Sequence, residues 1–96
     1  METKSEVMLK LKEIKPLLFE DYSVKSIGIF GSYANETQTS ESDIDILVEF
    51  EKPIGWKFFT LELYLEQVLG RKVDLVTRSG LKDQIKTQIL NQLEYV

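Results

Sequence analysis

Three aspartates carry the first sign of chemistry in this chain. Asp43 and Asp45 sit in the run Asp43-Ile44-Asp45-Ile46-Leu47-Val48-Glu49-Phe50, where carboxylates alternate with aliphatic residues. That alternation is strand periodicity: Ile44, Ile46, Val48 and Phe50 share one face, and Asp43, Asp45, Leu47 and Glu49 the other. Two carboxylates side by side repel, which raises the pKa of one, and a divalent cation reverses the penalty. Asp74, within Lys72-Val73-Asp74-Leu75-Val76-Thr77, offers a third carboxylate on another strand. If the two strands are neighbours, three carboxylates converge, as a two-metal phosphoryl-transfer site requires. One ion then activates the attacking oxygen while the other neutralises phosphates, roughly 3.5–4 Å away.

Gly31-Ser32 is the second feature. It ends the β-rich run Lys25-Ser26-Ile27-Gly28-Ile29-Phe30 and precedes Tyr33-Ala34-Asn35, where a short helix can begin. Glycine lets the backbone approach a phosphate closely, and serine can cap a helix and donate to an oxygen. Each part has an ordinary explanation: Asp-x-Asp as a solvated strand edge, Asp74 as an exposed strand residue, Gly-Ser as a turn. Their joint occurrence, in consistent secondary-structure context, is far more specific than any one of them.

These residues need a scaffold, and the pattern supplies one. Thr3 and Glu6 have capping-box spacing. Met8, Leu11, Ile14 and Leu18 then recur at helical steps, with Pro16 expected to kink or divide the helix. Residues 33–42 form a polar insertion, and 51–55 a turn before a second long helix from about Trp56 to Leu69, closed by Gly70. Lys72 to Thr77 is a third strand, Ser79-Gly80 a loop, and Leu81 to Leu93 a last helix built on Leu81, Ile85, Ile89 and Leu93. The expected architecture is a single α+β domain over residues 1–96, with a small mixed sheet of three or more strands flanked by helices.

Composition excludes much else. The 96 residues include no Cys and no His, which removes disulfides, zinc ribbons, thiol nucleophiles, imidazole bases and His-ligated metals. Acid–base and metal work falls to carboxylates, Lys, Tyr or hydroxyls, and the natural partner of such an inventory is a hard cation such as Mg²⁺. Twelve Lys and Arg against 16 Asp and Glu leave a net charge of −4, which argues against nucleic-acid binding. No run approaches the roughly 18 apolar residues of a membrane span, and the start has no apolar leader, so a cytoplasmic protein is expected.

Gly-Ser, ten residues and then Asp-x-Asp resembles the nucleotidyltransferase superfamily with the DNA polymerase β fold. IGIFGSYANETQTSESDIDILVEF, KVDLVT and the tail KDQIKTQILNQLEYV are together similar to its minimal nucleotidyltransferase (MNT) branch. The resemblance covers nearly the whole chain. It implies that Gly31 and Ser32 contact nucleotide phosphates, that Asp43 and Asp45 hold Mg²⁺ (two ions), and that Asp74 completes the metal site and helps deprotonate the attacking hydroxyl. The implied reaction moves a nucleoside monophosphate, commonly AMP from ATP, onto a hydroxyl and releases pyrophosphate. It also implies a HEPN-family partner, often a toxic ribonuclease, which the MNT protein neutralises as antitoxin by adenylylating a tyrosine. One departure stands out: many relatives carry Arg-Gly after the loop alanine, whereas this chain has Asn35-Glu36, losing a cation and gaining a negative charge near the site.

Other residues bear on partners. Lys25, Lys72 and Arg78 lie near strand ends, with Arg78 the best placed to offset phosphate charge in nucleotide binding. Tyr33 can stack on a base or fill the core. The helix from Trp56 to Leu69 is apolar over most of its circumference, where an amphipathic surface helix shows a stripe. Phe58, Leu61, Leu65 and Val68 suit a core face. Trp56, Phe59 and Leu63 either lie under the first helix or form a contact with a partner or a second copy. A competing function is a non-catalytic module that neutralises a partner by stoichiometric contact. Asn35-Glu36 and the apolar helix favour it, and three crowded acids argue against it. The small size also predicts that substrate recognition is borrowed from a partner.

Overall fold

The computed structural model describes residues 3–96. Its elements follow in the order α1 (Lys4–Tyr22), β1 (Val24–Phe30), α2 (Gly31–Asn35), β2 (Ile44–Phe50), α3 (Lys57–Leu69), β3 (Val73–Thr77), α4 (Asp83–Gln92) and β4 (Glu94–Tyr95). The four strands form one mixed sheet in the order β3-β2-β1-β4. β2 and β3 run parallel, and β1 is antiparallel to both β2 and β4. The α+β expectation holds, with one more strand than the sequence pattern marks.

Strand alternation gives the sheet two unlike faces. On the first, Ile27 and Ile29 of β1, Ile44, Ile46 and Val48 of β2, and Val73 and Leu75 of β3 are buried. They pack in one cluster with Val7, Leu11 and Leu18 of α1 and Leu61, Leu65 and Leu69 of α3. Each such side chain contributes about 1.5–3 kcal/mol by leaving water. The second face carries Gly28 and Phe30 of β1, Asp45, Leu47 and Glu49 of β2, and Asp74 and Val76 of β3, as the register requires. α4 packs on α2 and β1 at this face, and Leu93 lies over Gly28 so closely that a Cβ there would come within 2.8 Å of its Cδ1.

Several expectations are corrected. α1 is not divided at Pro16; it runs unbroken to Tyr22. Pro16 deprives the Lys12 carbonyl of its donor, but both residues are exposed, so that carbonyl can turn to water. Thr3 Oγ1 accepts from the Glu6 N–H at 3.2 Å, one half of the expected capping box. The last helix is shorter than Leu81–Leu93. Leu81, Lys82 and Leu93 all adopt extended backbone, and the chain after Gln92 pairs with the free edge of β1 as β4. An open strand edge outweighs continued helix periodicity there. β2 starts at Ile44, which leaves Asp43 in the preceding loop. Trp56, Phe59 and Leu63 are not covered by α1: they are 85%, 56% and 65% exposed. Among the described residues no helix is long and apolar enough to cross a membrane.

Candidate active site

The register builds the site. Parallel pairing of β2 with β3 sets Asp45 directly beside Asp74, and antiparallel pairing sets Phe30, the last residue of β1, beside Asp45. The turn at Gly31-Ser32 therefore begins against the Asp45 carboxylate. Gly31 has φ +73, and a Cβ there would collide with Asp45 Oδ2, so both conformation and space demand glycine. Its N–H donates to Gln92 Oε1 of α4 at 3.2 Å. The Ser32 carbonyl accepts from the Thr37 N–H at 2.9 Å, which closes the turn behind it.

Electrostatics mark the same place. Asp45 is half-buried, and its pKa is pushed up to about 6, first by loss of water, then by the Asp74 and Asp43 charges and by hydrogen-bonding contact with Asp74. Proton uptake relieves that crowding at low pH, and a cation would do the same at neutral pH. Asp43, exposed in the loop, reaches Asp45 through charge alone. Among the described residues no three such side chains gather around one point as a ready-made metal cage. The donor set nonetheless suits Mg²⁺: all oxygen, with one tight carboxylate pair. Mg²⁺ is usually bound by one or two carboxylates plus substrate phosphates rather than by an all-protein cage.

The remaining expected residues lie elsewhere. Arg78 is four residues along from Asp74, roughly 13 Å by strand rise. It pairs with Glu49 Oε1 at 3.6 Å. Both line a cleft of about 580 Å³ with Lys52, Ser79 and Lys86, so Arg78 sits at the other end of β2 from Asp45. Lys25 lies at the start of β1, the end opposite the site. Lys72 is exposed, and its carbonyl accepts from the Ile44 N–H at 3.0 Å. Tyr33 is fully buried, which removes base stacking, and its hydroxyl has no hydrogen-bond partner among the described residues. Glu36 is exposed and left-handed, with φ +59, where a glycine would be relaxed. Gln92 and Arg71 escaped the pattern reading because each acts on backbone atoms far along the chain, which leaves no local signal.

Comparison with known proteins bears on the family and the fold. The family model described as "Nucleotidyltransferase domain" matches residues 11–96. A candidate protein adenylyltransferase of Methanocaldococcus jannaschii is 54% identical over 98 residues, covering 100% of both chains. A solved candidate minimal nucleotidyltransferase superposes with a TM-score of 0.82 at 26% identity, over 97% of this chain and 95% of that one. The complex of a tri-AMPylated Shewanella oneidensis HEPN toxin with its MNT antitoxin matches with a TM-score of 0.67 at 25% identity, over 93% of this chain and 70% of the other. The match of the family model over residues 11–96, with the 54% identical relative and the shared fold, makes this chain a member of the nucleotidyltransferase domain family, in its minimal nucleotidyltransferase branch.

Proposed function

We propose that residues 1–96 act as one catalytic unit that transfers AMP from ATP, with Mg²⁺, to a hydroxyl of a partner protein. The acceptor is a tyrosine of a HEPN-family toxin, and the chain serves in the cytoplasm as its antitoxin. The observation that carries this reading is the Asp45–Asp74 pair set against Gly31. The similar complex of an AMPylated HEPN toxin with an MNT antitoxin supports the choice of partner and of transferred group.

Each residue then has a physical task. Asp45 and Asp74, with Asp43, hold two Mg²⁺ ions, which supply charge neutralisation for the phosphates and for the attacking oxygen. Gly31 and Ser32 seat the phosphates. A phosphate oxygen accepting from the Gly31 N–H takes the place of Gln92 Oε1. Asp74 is exposed and accepts the proton of the incoming hydroxyl. The acceptor oxygen bonds to the α-phosphorus, the bond to the β-phosphate bridge breaks, and pyrophosphate leaves. Arg78, just beyond β3 and roughly 13 Å along from Asp74 by strand rise, serves the far end of the nucleotide. Catalysis is mostly positioning and charge neutralisation. The exposed Trp56, Phe59 and Leu63, with the Trp56 and Phe59 rings 5.7 Å apart, form the docking face for the partner or a second copy.

The test incubates the chain with Mg²⁺, the partner protein and ATP labelled at the α-phosphate. Label on a partner tyrosine, lost with Asp45→Ala, is the expected result. Label on no protein, with the partner still neutralised by Asp45→Ala, would replace this reading by stoichiometric binding, which the exposed Trp56 face favours. Light scattering on the purified chain separates a second copy from a different partner at that face.

A further inference from the structure

The carboxylate that the strands leave outside is held from elsewhere in the fold. Asp43 follows a polar loop that contributes no side chain to the core cluster. The loop closes on itself: the Thr39 N–H donates to Ser42 Oγ at 2.9 Å, the Ser42 N–H to Thr39 O at 3.1 Å, and the Glu41 N–H to Thr39 Oγ1 at 3.3 Å. Its carbonyls are then gripped by one guanidinium. Arg71 Nε and Nη2 donate to Ser42 O at 3.3 and 3.1 Å, and Nη2 also donates to Ser40 O. On the far side of Asp43, the Ile44 N–H donates to Lys72 O at 3.0 Å. The residue before Asp43 and the residue after it are thus both bonded to Arg71-Lys72. The same short stretch leads straight into β3 and Asp74.

We propose that Arg71 is a positioning residue of the metal site, acting through Asp43. This rests on the reading of the three aspartates as Mg²⁺ ligands. A guanidinium presents several N–H donors in one rigid plane and can hold two carbonyls at once; a lysine ammonium lacks that fork. Such charge-assisted bonds are roughly twice as strong as neutral ones. The bonds to Ser42 O are part-buried, which shields them from competing water, while the bond to Ser40 O is exposed. Without it, the exposed Asp43 carboxylate would have to be ordered at the moment a cation binds, and that entropy would come out of the affinity.

The test measures Mn²⁺ binding by electron paramagnetic resonance, with a non-hydrolysable ATP analogue, alongside thermal unfolding and AMP transfer over a range of Mg²⁺. The chains compared are wild type, Arg71→Met, Arg71→Lys, Asp43→Asn and the Arg71→Met/Asp43→Asn double variant. Arg71→Met is expected to weaken Mn²⁺ binding roughly 10-fold, as loss of groups that orient metal ligands does. Arg71→Lys should fall between it and wild type. Excess Mg²⁺ should restore most of the transfer rate of Arg71→Met but not that of Asp43→Asn. The double variant should bind Mn²⁺ no worse than Asp43→Asn alone. A lowered unfolding midpoint with unchanged Mn²⁺ affinity would overturn the proposal, as would losses that multiply in the double variant. If Arg71→Met does not fold, the Mn²⁺ affinity of Arg71→Lys decides in the same way. A wild-type chain that binds no Mn²⁺ with the analogue removes the metal-site reading and Arg71's role together. Equal binding by wild type and Arg71→Met removes Arg71's role alone.

Discussion

The two faces of β2 are made from alternate residues of one seven-residue strand, yet they obey opposite rules. On the core face, Ile44, Ile46 and Val48 are fully buried, and their value lies in volume and shape. On the other face, Asp45 is half-buried beside Asp74, a placement that costs stability until a cation or proton arrives. A folding scaffold and a strained site thus share one stretch of backbone, one residue out of phase.

Substitutions should separate the two faces cleanly. Asp45→Ala is expected to remove AMP transfer, by on the order of 10³-fold or more given what single transition-state contacts supply. Its unfolding midpoint should not fall; a large fall would show Asp45 to be a structural residue. Ile46→Ala, one position along, should do the reverse, costing about 2–5 kcal/mol in denaturant unfolding while leaving the site's chemistry intact in the folded fraction.

Gly31→Ala tests how tightly the site is built. The new methyl must displace the Asp45 carboxylate and hold φ +73, so transfer should drop sharply. Chemical unfolding should show a loss of about 1–2 kcal/mol from the left-handed backbone. Normal activity would mean that the turn and the carboxylate do not cooperate.

The site face should also show in pH. Asp45's folded pKa of about 6 lies above its ordinary 3.8, so its protonated form stabilises the fold. That contribution is fully present below the ordinary value and is lost as the pH rises through about 6. Without Mg²⁺, the thermal midpoint should carry a downward component across that window, which Asp45→Asn removes and which Mg²⁺ opposes at the upper end. Identical pH profiles for wild type and Asp45→Asn would break the comparison.

Smallest of all is Glu36→Gly at the end of α2. Relief of the left-handed backbone should add about 1 kcal/mol. It also removes a negative charge near the phosphate turn, so ATP binding should tighten slightly, as titration calorimetry can show.

Local patterns made much of this legible. β2 was readable because its aliphatic and acidic residues alternate, and α1 because Thr3 and Leu11 mark its cap and its buried stripe. Reading failed where distant parts compete. α4 looked longer because Leu81 and Leu93 keep helical spacing, while β1's open edge recruits residues 94–95 into a strand. Tyr33, directly after Ser32, is open by sequence to a base or to the core, and α2 turns it into the core.

The acidic pattern, the glycine turn and the absence of Cys and His exclude thiol and imidazole chemistry and single out the aspartates, because those properties belong to residue types and short spacings. The parallel pairing of β2 with β3 chose Asp74 as Asp45's neighbour, and the fold gave Gln92 to Gly31 and Arg71 to the loop before Asp43. Those contacts join residues 29 to 61 positions apart, brought together when the core folds, and no local periodicity encodes them.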